Sequence, residues 1–131
     1  MELDLDYGTY EHIELGLLLG KVIESYEISD ENNVIKFIIN GEEYYMYHQQ
    51  DCCESVEIEE IIGDMDDLIG EPLTMSEKVT QKGKEDDWGT STWTFYKFAT
   101  IKGYVTLRWL GESNGYYSEA VWFVKMLNNP Q

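Results

Sequence analysis

The sequence predicts an antiparallel domain, α+β or mainly β, with about six or seven strands in hairpins and one or two short helices. Three observations carry this. Asn40-Gly41 stands between two apolar runs, the strongest short-range hairpin signal. Val105, Leu107 and Trp109 alternate with Thr106 and Arg108, the period of a half-buried strand. Thr92-Trp93-Thr94-Phe95-Tyr96-Lys97-Phe98 is aromatic and β-prone.

Taken in chain order, Tyr10 to Leu19 predicts a short helix with Thr9 as N-cap. Val22–Ile28 predicts a strand, closed by the turn Asp30-Glu31-Asn32-Asn33. In the hairpin around Asn40-Gly41, a two-residue type I′ turn sets Ile39 opposite Glu42, Phe37 opposite Tyr44 and Ile35 opposite Met46. Alternation then puts Tyr44, Met46 and His48 on the core face with Ile35 and Phe37. Val56 and Ile58 suggest a short strand. Ile58, Ile61, Ile62, Met65, Leu68 and Ile69 fit helical spacing instead, so an acidic amphipathic turn or helix should follow and end at Gly70. Thr80 to Gly89 is polar and reads as an exposed loop. Lys102-Gly103 and Gly111 to Gly115 are turns, and Ala120 to Lys125 is the last strand.

At 131 residues the chain, 1–131, is expected to form one domain with a substantial core. It carries 43% hydrophobic and 14% aromatic residues, so it is not a disordered acidic tail. No apolar run is long enough to span a membrane as a helix. Met1-Glu2-Leu3-Asp4-Leu5-Asp6 has no basic and apolar leader pattern, so a cytoplasmic location is expected.

The net charge is −17, from 26 acidic and nine basic residues. Like-charge repulsion opposes direct binding to nucleic acid or to an anionic membrane. From Glu42 to Glu77 there are twelve acidic residues and no Lys or Arg. Glu57, Glu59, Glu60, Asp64, Asp66 and Asp67 lie in this run. Either it is a solubilising face, or it is built for a basic partner such as a nucleic-acid-binding protein.

The densest cluster of ligand-type side chains is His48-Gln49-Gln50-Asp51-Cys52-Cys53-Glu54, with both cysteines of the chain. Adjacent Cα atoms lie about 3.8 Å apart, below the roughly 4.4–6.8 Å of ordinary disulfides. Both cysteines are therefore expected as thiols or metal ligands in a reducing compartment. Zinc takes thiolate and imidazole, so His48, Cys52 and Cys53 could supply three ligands, with Asp51 or Glu54 as a fourth. The competing reading is two small buried cysteines beside a hydrogen-bonded core histidine. A thiol at Cys53 activated by His48 is disfavoured, since acidic surroundings raise a thiol pKa.

Gly111-Glu112-Ser113-Asn114-Gly115 matches the nucleophile elbow G-x-S-x-G. That elbow needs a strand-to-helix turn and a later histidine. Strand-like sequence follows here, and both histidines come earlier, so a hairpin loop is the better reading. Tyr116 and Tyr117 in that loop are candidates for partner recognition.

The strings His48-x-Gln50-Asp51-Cys52-Cys53-Glu54-Ser55-Val56, Gly63-Asp64-Met65-Asp66-Asp67-Leu68-Ile69-Gly70, Trp93 to Gly103 and Gly111 to Glu119 together resemble a family of small phage and prophage proteins without an assigned activity. The chain also resembles phage-encoded anti-CRISPR proteins that inhibit a type II effector nuclease. That resemblance implies a cytoplasmic, non-enzymatic inhibitor of a host nuclease. It also implies a structural zinc at His48, Cys52 and Cys53, and a partner with a basic nucleic-acid channel. The alternatives are a metal-dependent hydrolase with an open zinc position, or a virion or scaffold component.

Overall fold

The computed structural model of the protein describes residues 9–127; the acidic stretch 1–6 lies outside them. Among the described residues nine strands form two antiparallel sheets. They are β1 (Tyr10–His12), β2 (Ile23–Ile28), β3 (Val34–Ile39), β4 (Glu42–Tyr47), β5 (Ser55–Ile62), β6 (Met75–Asp86), β7 (Gly89–Thr100), β8 (Gly103–Ser113) and β9 (Trp122–Met126). One sheet has the order β1-β9-β4-β3-β2, the other β5-β8-β7-β6. The fold is mainly β; helix is confined to two 3-10 turns, Leu15–Leu18 and Met65–Leu68.

The β3–β4 hairpin has the expected register, with Ile39 opposite Glu42, Phe37 opposite Tyr44 and Ile35 opposite Met46. Asn40 and Gly41 both have positive φ, 49° and 80°, as a type I′ turn requires. The inner faces of the two sheets meet in one core. Ile35, Phe37, Tyr44 and Met46 from one sheet pack with Tyr96, Phe98, Val105, Leu107 and Trp109 from the other. Burying side chains of this size contributes about 1.5–3 kcal/mol each. Trp109 is fully buried, and its indole N–H donates to the Met46 sulfur at 3.3 Å.

Three expectations are corrected. Tyr10 to Leu19 is not a helix. Tyr10–His12 pairs with β9, and Leu15 and Leu18 are buried by one 3-10 turn. Three-residue spacing suits that turn as well as it suits a helix. The helical spacing after Ile58 holds only from Met65: the acidic turn expected before Gly70 is the 3-10 turn Met65–Leu68, but β5 first runs to Ile62, and its register against β8 shifts between Ile58 and Glu60. The extra residue makes a period of two look like a period of three. Thr80 to Gly89 is not a loop either. β6 continues to Asp86 and pairs with β7 across the turn Asp87-Trp88. As an edge strand it is wetted on both faces along most of its length, so its side chains show no alternation.

Candidate functional site

The segment His48–Glu54 is the crossover from the end of β4 to the start of β5, so it joins the two sheets. Inward alternation along β4 buries His48, as the strand pattern predicts. His48 Nδ1 donates to the Ala120 carbonyl at 2.7 Å, and Nε2 bonds Glu54 Oε2 at 2.7 Å. The Glu54 carboxylate also accepts from the Asp51 amide (2.9 Å), the Cys52 amide (2.8 Å) and the Gln50 side chain (3.3 Å). Burial pushes the Glu54 carboxyl up. The hydrogen bonds from His48 and from the Cys52, Glu54 and Asp51 amides outweigh it and hold the group at about 2. Glu54 is thus an ionised acceptor, and both ring nitrogens of His48 are hydrogen-bonded.

This arrangement differs from the expected ligand set. Cys52 and Cys53 are joined by a disulfide between neighbours, with Cα atoms 3.7 Å apart, so the expectation of two thiols is corrected. The connector turns sharply enough to bring both sulfurs to one side, which an extended strand would not do. The sulfurs are paired with each other, and both His48 nitrogens are hydrogen-bonded within the protein. Among the described residues no group of three His, Cys, Asp or Glu side chains is arranged to hold an ion. Asp51 is exposed. Here the string acts as a latch between sheets.

The acidic run divides. Glu57, Glu59 and Glu60 are exposed on β5. Glu57 lies opposite Leu110 and Glu60 opposite Arg108, on the outer face of the four-stranded sheet. Asp64, Asp66 and Asp67 lie on the second 3-10 turn, where they also hold structure. Asp64 accepts from the Asp66 amide, Asp66 accepts from Tyr26 Oη at 3.0 Å, and the Asp67 carbonyl accepts from the Thr100 hydroxyl. Gly63, with φ of 104°, sets up this turn; a side chain there would run into the Tyr104 carbonyl.

The outer face of the four-stranded sheet is open. Its rows follow from the register: Val79, Phe95, Arg108 and Glu60; then Gln81, Trp93, Leu110 and Glu57. Phe95, Trp93 and Leu110 are half-buried. The Arg108 guanidinium lies 4.4 Å from the Trp93 ring centroid and bonds Glu60 Oε1 at 3.1 Å. Glu112, between Ser55 and Ser91, begins the next row.

That row opens into a cleft of about 480 Å³ lined by Cys53, Ser55, Lys84, Asp86, Trp88, Thr90, Ser91, Glu112, Ser113, Asn114 and Tyr117. Of the sequence-predicted residues, Cys53 and Tyr117 meet here. Tyr116, 87% exposed, stands next to them on the loop. Trp88 is 91% exposed at the β6–β7 turn, which the Asp86 carboxylate caps through the Trp88 and Gly89 amides. Trp88 was missed because Thr80 to Gly89 reads as featureless loop; a tryptophan among charged turn residues was the available signal. Ser113 Oγ donates to the Glu119 carboxylate. Thr90 and Thr92 also donate to Glu119, at 2.5 and 2.7 Å. Burial raises the Glu119 carboxyl, but the bonds from Ser113, Thr90 and Thr92 prevail and lower it.

Among the described residues no helix is long and apolar enough to cross a membrane. No curated protein and no solved structure matches the chain. One family model, described as a domain of unknown function (DUF7448), matches residues 16–123, which span both sheets and the cleft. The chain therefore belongs to the DUF7448 family.

Proposed function

We propose that the protein is a non-enzymatic binding module that lays the outer face of its four-stranded sheet against a positively charged protein surface. The carrying observation is that face. Trp93, Phe95 and Leu110 form a half-exposed apolar centre, and Glu57, Glu60 and Glu112 border it in a chain of net charge −17. An apolar aromatic centre with a charged rim is the anatomy of protein interfaces. The carboxylates steer a cationic partner and suppress acidic ones. Surfaces that normally hold nucleic-acid backbone are cationic, so a nucleic-acid-processing protein is the partner class. A type II CRISPR effector, with its positively charged heteroduplex channel, is the narrower expectation, and it rests on the sequence resemblance.

Binding of this kind should exclude nucleic acid by occupying its place. The test is capture of partners from a bacterial lysate on the immobilised protein, with and without added duplex DNA, read by mass spectrometry. A cationic nucleic-acid-binding protein retained alone and released by DNA supports the reading. Retention that DNA leaves unchanged, or of acidic proteins only, contradicts it.

A further inference from the structure

The cleft between the β6–β7 turn and the Ser113–Tyr117 loop is braced from behind and left unpaired in front. The register of β7 and β8 turns the Thr90, Thr92 and Ser113 hydroxyls to the opposite side of the sheet from Glu112, where all three donate to Glu119. A side chain at Gly89 would run into the Ser113 carbonyl, so the turn is seated directly on the loop. The Asp86 carboxylate accepts from the Trp88 and Gly89 amides and fixes the turn. On the open side, Ser55, Glu112 and Ser91 share one row. Ser91 is engaged with the Lys84 amide at 2.7 Å, and the Lys84 ammonium with Asp86 at 3.2 Å. Ser55 and Glu112 are exposed, and their side chains meet no partner among the described residues. The same holds for the hydroxyl of the half-buried Tyr117. Asn114 accepts from the Tyr116 amide through Oδ1 at 3.0 Å, which leaves its Nδ2 hydrogens free. Trp88 lines the cleft almost fully exposed.

The unpaired groups therefore mix donors and acceptors: an acceptor at Glu112, a donor at Asn114, and hydroxyls that do both at Ser55 and Tyr117. A cation that only donates would leave the Asn114 amide facing donors. A phosphate would face Glu112 in a chain of net charge −17. An apolar ligand would strip water from four polar groups and return no hydrogen bond. A sugar hydroxyl both donates and accepts. A pyranose with equatorial hydroxyls also keeps a flat C–H face on each side, which suits the apolar face of an indole. The cleft, at about 480 Å³, is in the range of roughly 300–1,000 Å³ of small-molecule sites. The geometry points to a binding site for a neutral oligosaccharide of glucose-type rings. One ring stacks on Trp88, and its hydroxyls bond Ser55, Glu112, Asn114 and Tyr117. This site goes beyond the protein-binding role and does not depend on it: it uses stacking and neutral hydrogen bonds, where the sheet face uses charge.

The probes are cellotetraose, maltotetraose and chitotetraose, each titrated by calorimetry into the full chain. At least one should bind, with an affinity that salt leaves unchanged because the ligand is neutral. Trp88→Ala should weaken that binding about tenfold. Glu112→Ala and Tyr117→Phe, which remove an acceptor and a hydroxyl, should each weaken it about fivefold. Tyr104→Ala removes an exposed ring near the other end of β8 and should change binding less than twofold. Trp88 and Glu112 are exposed, and Tyr117→Phe keeps its ring, so these variants should fold; thermal melts check it. Failure of all three sugars to bind would overturn the inference. So would binding that Trp88→Ala weakens no more than Tyr104→Ala does, because the sugar would then sit elsewhere. Binding that falls steeply with salt would overturn the neutral ligand class. None of these results bears on the charge-steered protein partner, whose failure would show in its own salt series.

Discussion

Replacing Arg108 by Gln should weaken the fold slightly and tighten binding. Arg108 occupies the middle of the proposed face, stacked 4.4 Å from the Trp93 centroid and bonded to Glu60. Both side chains of that ion pair are at least a third exposed, so it is worth about 0.2–1 kcal/mol. An exposed cation–π contact adds about 0.5–1 kcal/mol. Together the loss is about 1 kcal/mol, a fall in melting temperature of about 3–5 °C for a domain of this size. A cationic side chain of a partner that lands on this sheet face must displace the same interactions. Without Arg108, Trp93 and Glu60 are free and the chain is one unit more negative. Binding of a peptide of eight arginines with blocked ends, used as a generic cationic probe of the face, should therefore tighten by about 1 kcal/mol, or about fivefold. Calorimetry at fixed low salt measures the affinity, and a thermal melt checks the fold. Weaker binding by a folded Arg108→Gln protein would refute the reasoning, because Arg108 would then be a contact made by the face rather than a plug upon it.

Two further outcomes concern the connector between the sheets. Glu54 has a carboxyl pKa of about 2 in the fold against 4.5 in a free chain, so its contribution is complete above about 4.5 and is lost as pH falls toward 2. Glu54→Gln puts an amide where the Asp51 and Cys52 N–H groups need acceptors. It should lower the melting temperature at pH 7 and flatten its decline between pH 5 and 2; an unchanged acid branch would show that the latch does not hold the fold. The Cys52–Cys53 disulfide predicts that no thiol reacts after denaturation of protein purified without reductant. Stoichiometric zinc, with two thiols released by a chelator, would instead support the expected zinc site at His48, Cys52 and Cys53.

The elements legible in the sequence were those in which one local signal sufficed. Asn40-Gly41 dictates both turn type and register, and the β3–β4 hairpin follows it residue by residue. β8 was legible because one face is core and the other is open, so Val105, Leu107 and Trp109 alternate with their neighbours. β5 was misread past Ile58 because a bulge changes the phase of an otherwise regular strand. β6 was misread because an edge strand with two wet faces has no pattern to detect. The cleft was the least legible part. Trp88, Thr90, Glu112, Ser113 and Glu119 stand on a turn, two strands and a loop, and only the β7–β8 register, Thr90 opposite Ser113, brings them together. His48 was correctly placed inside, but its partners were not foreseeable. Ala120 lies 72 residues away, and Glu54 reads equally well as a ligand or as a solvated charge.

The central claim is that the carboxylates beside the open sheet face recognise a cationic protein surface. The most direct measurement is the association rate and affinity for the captured partner across a salt series, for the parent and for Glu57→Lys/Glu60→Lys. Both positions are exposed, so the fold should persist. The account predicts that parent association slows steeply with salt, and that the double reversal slows it at low salt and flattens the dependence. Equal rates for the two proteins, with no effect of salt on either, would contradict it.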